Sequence, residues 1–150
     1  GAHGAGVHGI GAERFSCRKC TITGNSVDLR LTEKSTDAVV RDSIIERIDI
    51  SDDSTGYRGS HNCYGPQTQL PPEEWCSVAA DPRFVDTETR DYRLRWDSPA
   101  AWLGAYASPA GALPVAPRPL KLEAHRRCVV SEWLHGVPVI AAVGSILTSC

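Results

Sequence analysis

FSCRKCTITGN (residues 15–25) and AVVRDSIIERI (residues 38–48) superpose at an offset of 23 residues. Setting Arg18 over Arg41 also sets Cys17 over Val40, Cys20 over Ser43 and Ile22 over Ile45. An offset of this size is one turn of a solenoid, in which each repeat buries its inner face on its neighbours. Between the two segments lies VDLRLT (residues 27–32), whose strict apolar/polar alternation is the pattern of a half-buried strand. β-Branched residues fill these runs and no 3.6-residue stripe is sustained, which speaks against helices. Each turn therefore carries more than one short strand, and the expected fold is all-β, a parallel β-helix.

Outward from this core the chain is punctuated by turns. The first twelve residues, GAHGAGVHGIGA, hold five glycines and read as the tail of an earlier coil. Residues 33–37 and 49–59 are polar and turn-rich, and SHNCYG (residues 60–65) offers a last short strand before a proline-rich loop. Two further strands, within residues 77–81 and 91–95, flank an Asp81-Pro82 turn. Residues 108–119, SPAGALPVAPRP, contain four prolines and predict a stiff extended linker. The apolar alternation beyond it predicts a short C-terminal β segment. The expected organisation is thus residues 1–107 as coils with a closing segment, residues 108–119 as linker, and residues 120–150 as a β-rich packing or assembly element.

Composition bounds the function. At 150 residues and 41% hydrophobic, the chain supports one main core plus an appendage. A net charge of -2 and a pI near 6.2 provide no overall basic field, which argues against a nucleic-acid partner. The longest apolar stretch, Val137 to Leu147, is interrupted by Pro138 and Gly144 and reads as buried strand, so no membrane span is expected. The chain has no methionine, so Gly1 is expected to follow a removed segment, such as a secretory signal, or an upstream part of a longer protein. Six cysteines form an even set, which points to disulfides in a non-cytosolic protein and allows fifteen pairings; six free thiols are the alternative. Cys63 with Cys76 is the expected bridge, because the loop between them holds Gly65, Pro66, Pro71 and Pro72 and little else to fix it. Closing it would remove about 3 kcal/mol of unfolded-state entropy.

The run AADPRFVDTETRDYRLRWDSPA (residues 79–100) resembles the closing segment of bacterial right-handed parallel β-helix proteins of the pectate-lyase-like kind, with their DPxFVD and DYxLxxxSPA phrases. CTITGN (residues 20–25), SHNCYG (residues 60–65) and GAY (residues 104–106) are similar to coil, penultimate-strand and terminal phrases of the same family. The resemblance covers about residues 15–106 and implies a right-handed parallel β-helix from a secreted or surface-displayed protein. Polysaccharide lyases, glycoside hydrolases, surface adhesins and phage tail proteins share this architecture, so the fold alone does not fix an activity.

In such a fold, ligands bind along one sheet face, where side chains of successive coils stack. Arg18 with Arg41, and Lys19 with Asp42, occupy equivalent places. Arg18, Arg41 and Lys19 are therefore the candidate carbohydrate-binding residues, since arginines hold uronate carboxylates by bidentate hydrogen bonds. Asp49, Asp52 and Asp53 offer hard oxygen ligands for an irregular calcium site, the one cofactor considered, although Ser54 and Ser60 stand where an EF-hand needs Gly and Glu. His8-Gly9-Ile10 resembles a phrase of polygalacturonase-like hydrolases, yet the aspartates that such chemistry requires upstream are missing from the seven residues before it. Cys17 and Cys20 form a C-x-x-C, but positions i and i+3 of a strand point to opposite faces unless the strand bends. Trp75, Trp96, Trp102 and Trp133 are candidates for stacking on sugar rings, yet three of them lie in or after the closing segment, where a tryptophan seals a solenoid end.

No catalytic residue is assigned. The sequence reading is a structural or interaction module of a larger extracellular, surface or virion-associated β-helix protein. Its tail would mediate assembly with other subunits or with the rest of the chain. The alternative is binding or cleavage of an acidic polysaccharide by a lyase- or hydrolase-like groove.

Overall fold

A computed structural model describes residues 4–118. The first coil holds β1 (Ala5–Ile10), β2 (Ser16–Arg18) and β3 (Thr21–Ile22); the second holds β4 (Val27–Thr32), β5 (Val39–Arg41) and β6 (Ile44–Ile45). The third holds β7 (Ile48–Ile50), β8 (Arg58–Ser60) and β9 (Cys63–Tyr64), and a fourth, partial coil holds β10 (Glu74–Trp75) and β11 (Val78–Ala79). These strands stack in parallel into three sheets, β1-β4-β7, β2-β5-β8-β10 and β3-β6-β9-β11, which is the expected parallel β-helix. An antiparallel hairpin of β12 (Phe84–Asp86) and β13 (Asp91–Leu94) follows. The strands expected in residues 120–150, with Cys128 and Cys150, lie outside the described residues. Among the described residues no helix is long and apolar enough to cross a membrane.

The register places Cys17 beside Val40 and Arg18 beside Arg41, as the 23-residue offset predicts. The coils then tighten. The offset between paired residues falls from 23 (Ser16 with Val39) to 19 (Val39 with Arg58) and to 15 (Gly59 with Glu74). The last coil has no strand in the first sheet; the chain passes through Pro71 and Pro72 and re-enters at β10.

Left-handed residues make the corners. Arg14, Asp37 and Gly56 recur between the first and second sheets with φ of 56°, 53° and 74°. Lys19, Asp42, His61 and Cys76 recur between the second and third with φ of 52°, 51°, 57° and 53°. Left-handed backbone costs a side-chain-bearing residue about 1 kcal/mol. At the second corner it is offset by a bond repeated from rung to rung, since Lys19 N donates to Arg41 O (3.1 Å), Asp42 N to Ser60 O (3.1 Å) and His61 N to Trp75 O (3.0 Å). SHNCYG, expected as a single strand, is therefore bent at His61 between β8 and β9.

Two apolar clusters hold the domain. Inside the coils, Leu29, Leu31, Val40, Ile45 and Tyr64 are fully buried. A second cluster lies on the outer face of the third sheet, where Ile44 and Cys63 are covered by Leu94, Ala100 and Ala110. Both members of the Ile44-Ile45 pair are buried for this reason, each on its own side of the sheet. Full burial of such side chains contributes roughly 1.5–3 kcal/mol apiece.

The stretch expected as a stiff extended linker covers this sheet. Residues 108–116 lie back along the coils: Ala110 N donates to Ala100 O (2.9 Å), Gly111 N to Asp42 O (2.7 Å), Ala112 N to Thr21 Oγ1 (3.0 Å) and Ala116 N to Leu94 O (2.7 Å). Gly111 has φ of 86°, and a Cβ there would collide with Thr21 and Ile44. Proline supplies stiffness here to a strap bound on the solenoid, since its missing N–H leaves the neighbouring residues to make the bonds.

Candidate functional site

The outer face of the second sheet carries a groove of about 960 Å³. Its floor is a column of outward side chains from consecutive rungs, Arg18, Arg41, Ser60 and Trp75. Rungs stand about 4.8 Å apart, so Arg18 and Arg41 present two guanidinium groups side by side. Both are exposed, and neither guanidinium has an ion-pair or hydrogen-bond partner among the described residues. Arg58 stands nearby on β8, loosely paired with Asp37 at 3.8 Å.

Trp75 is 68% exposed and ends the column, with His61 packed against it edge to face at 5.5 Å. The 3-10 turn Ala105–Ala107 that leads into the strap, with Ser108 of the strap, supplies the opposite wall, and the Tyr106 ring is fully exposed. The groove thus joins cationic forks to flat aromatic surfaces in reach of solvent. Arg58, His61 and Tyr106 were not among the sequence candidates, because the later coils break the 23-residue period that ties Arg18 to Arg41.

Lys19 and Asp42, expected as part of the same ladder, do different work. Lys19 Nζ donates to Ser108 Oγ (2.9 Å) and to Pro109 O (2.8 Å), and Asp42 Oδ1 accepts from Ala105 N (2.7 Å). Both hold the strap that forms the wall. Lys19 is therefore a positioning residue with its ammonium already engaged.

The three aspartates do not converge. Asp49 pairs with Arg30 at 2.8 Å on the outer face of the first sheet, and Asp53 accepts from the Ser51 hydroxyl, which holds its carboxyl below the ordinary range. Among the described residues no three His, Cys, Asp or Glu side chains are grouped to hold a metal, so the calcium expectation finds no donor set. His8 shares a row with Arg30 and Asp49 and bonds Thr32 Oγ1 at 2.9 Å. That row already contains its own counter-charge.

The expected Cys63–Cys76 bridge is absent, and both thiols are free. Cys63 faces the strap, its Sγ donating to Ala80 O (3.5 Å), whereas Cys76 is an exposed corner residue with left-handed backbone. The loop between them is fixed without a disulfide: Gly65 N donates to Glu46 O (3.0 Å), Thr68 N to Gly65 O (2.9 Å), and Leu70 packs on the inner core. Burial, with the Asp81 and Glu46 carboxylates nearby, pushes the Cys63 thiol up to about 12.

Behind the groove the corner is lined inside by a polar column. Cys20 N donates to Ser43 Oγ (3.2 Å), Ser43 N to Asn62 Oδ1 (3.0 Å) and Asn62 N to Ser77 Oγ (2.9 Å). Each corner amide is satisfied by the side chain of the next coil, as buried donors require. The pairing of Cys20 with Ser43 read from the sequence is the first step of this column. No family model, curated protein or solved structure matches the chain.

Proposed function

We propose that this chain is an acidic-polysaccharide-binding module of a larger secreted or surface-displayed β-helix protein, and that the polymer lies across the rungs of the second sheet. The observation that carries the reading is the pair of exposed arginines, Arg18 and Arg41, on adjacent rungs, without a partner among the described residues and in line with the exposed ring of Trp75. Carboxylates are taken up by guanidinium forks in bidentate geometry, and a sugar ring offers an apolar face to an indole. Among the described residues β1, β2 and β3 of the first coil pair on one side only, which leaves an edge that another β-strand would pair with. The resemblance of residues 79–100 to β-helix closing segments supports the same extracellular setting.

The test is titration of the protein with polygalacturonate, alginate and a neutral glucan, alone and after R18A/R41A substitution. Binding to the acidic polymers, weakening as salt rises and at least tenfold weaker in the double variant, is the expected result. Equal affinity for the neutral glucan, no binding to either acidic polymer, or an unaffected double variant would overturn it. Unsaturated products absorbing in the ultraviolet would extend the reading from binding to lyase cleavage.

A further inference from the structure

We infer that Cys17 and Cys20 are an oxidisable dithiol that closes to an intramolecular disulfide by exchange with a small-molecule disulfide such as oxidised glutathione. On a straight strand these two positions would face opposite ways. Here the left-handed residue Lys19, with φ of 52°, turns the corner between β2 and β3, and both side chains pack against the same inner core. Ser43 touches both, its Oγ lying 3.9 Å from Cys17 Sγ and 3.2 Å from Cys20 N. Cys20 Sγ is directed back to Arg18 O at 3.3 Å, into the loop that a bridge would close. The other two described cysteines are placed otherwise, Cys63 under the strap and Cys76 outward at a corner.

The accessibility of the two sulfurs sets the order of events. Cys17 is buried, and that burial together with its Cys20 neighbour pushes its thiol up to about 12, while Cys20 is half-exposed. The Cys20 thiolate attacks one sulfur of the small-molecule disulfide, whose S–S bond breaks and releases one thiolate. Cys17 then gives up its proton and attacks the Cys20 sulfur of the mixed disulfide, expelling the second thiolate. In total the two cysteines lose two protons and two electrons, and one external disulfide becomes two thiols. The bridge encloses Arg18 and Lys19, so oxidation pins the corner that presents one arginine to the groove and one lysine to the strap. The inference rests on the cysteine geometry and holds whatever the groove binds.

Trypsin provides the test, because it cuts after Arg14, Arg18, Lys19 and Arg30 and so separates the two cysteines. The full chain is treated with oxidised glutathione, its remaining thiols are alkylated, and it is digested without reduction. The expected product is FSCR (residues 15–18) linked to CTITGNSVDLR (residues 20–30), with Cys63 and Cys76 alkylated. Closing a four-residue loop is expected to raise the melting temperature by ~5 °C. Both signals should vanish in C20A and persist in C63A. Recovery of the two peptides unlinked, each alkylated or carrying only glutathione, or of Cys17 joined to any other cysteine, would overturn the inference.

Discussion

Glu74 occupies the space in the coil interior that a side chain at Gly59 would fill. The two residues are rung partners, and a Cβ at Gly59 would collide with the Glu74 carboxylate. They end a column that begins with Cys17 and Val40, so a carboxylate takes the place of an apolar side chain in the last coil. Its oxygens accept from Tyr57 OH, Tyr64 OH (2.6 Å), Asn62 Nδ2 and Ser77 Oγ. Such a group is tolerated inside only when its bonds are made. Gly59→Ala is expected to displace the carboxylate and lower stability by about 1–3 kcal/mol, read as a lower urea midpoint at unchanged slope. An unchanged midpoint would mean that the cluster is not needed to close the coil.

Stability should fall in alkali. Burial, followed by Glu74 for Tyr57 and by the other hydroxyl for Tyr64, raises both tyrosines above their ordinary range, and Cys17 and Cys63 are raised to about 12. Unfolded, these acids ionise near pH ~8.5 for cysteine and ~10 for tyrosine. Above those values the native state holds protons that the unfolded chain has released, so stability is complete at pH ~8 and declines as pH rises. The slope is about 1.4 kcal/mol per pH unit for each titrating group. Urea midpoints from pH 7 to 11 check this, and Cys63→Ala should flatten the fall between pH 9 and 11. A level profile in the parent protein would refute it.

The strap should depend on Asp42 in a way that separates two roles. Its backbone is left-handed, a conformation that costs Ala more than Asn, and its Oδ1 holds Ala105 N. Asp42→Asn keeps the acceptor and is expected to change stability little. Asp42→Ala loses both and should cost about 2 kcal/mol, with faster proteolysis beside Tyr106. Equal cleavage rates in the two variants would count against strap anchoring.

Trp75→Ala should separate binding from folding. The ring is mostly exposed and touches His61 at its edge, so the melting temperature is expected to move by less than about 2 °C. Affinity for the acidic polymer should drop at least tenfold, as removal of a well-placed aromatic contact does. A large melting shift with unchanged affinity would place Trp75 in the fold instead of the groove.

Arg18 over Arg41 was legible because the first two coils are equal in length, so one alignment sets the whole register. The third and fourth coils were not, because shortening to 19 and 15 residues erases the period while the three-sided cross-section survives. The corners were hidden for another reason. Lys19, Asp42, His61 and Cys76 share a left-handed backbone that local sequence favours at Gly or Asn, and at the first three a rung-to-rung bond from the corner N–H offsets its cost. The Cys63–Cys76 expectation failed because a loop that looks unfixed in sequence is held by Glu46 of the preceding coil and by its own Leu70, packed on the inner core.

The sequence by itself determined the all-β class, the parallel stacking of residues 15–25 on 38–48, and the outward column that begins with Arg18 and Arg41. Those follow from local alternation and repetition, which act between neighbours on a strand and between adjacent turns. Tertiary structure alone decided that residues 108–116 bind the coils, that Lys19 and Asp42 anchor this strap, that Tyr106 walls the groove, and that Cys17 and Cys20 face the same core. Each of these depends on contacts between residues far apart in the chain or on a backbone turn paid for by such contacts, and neither is written in the pattern of a single segment.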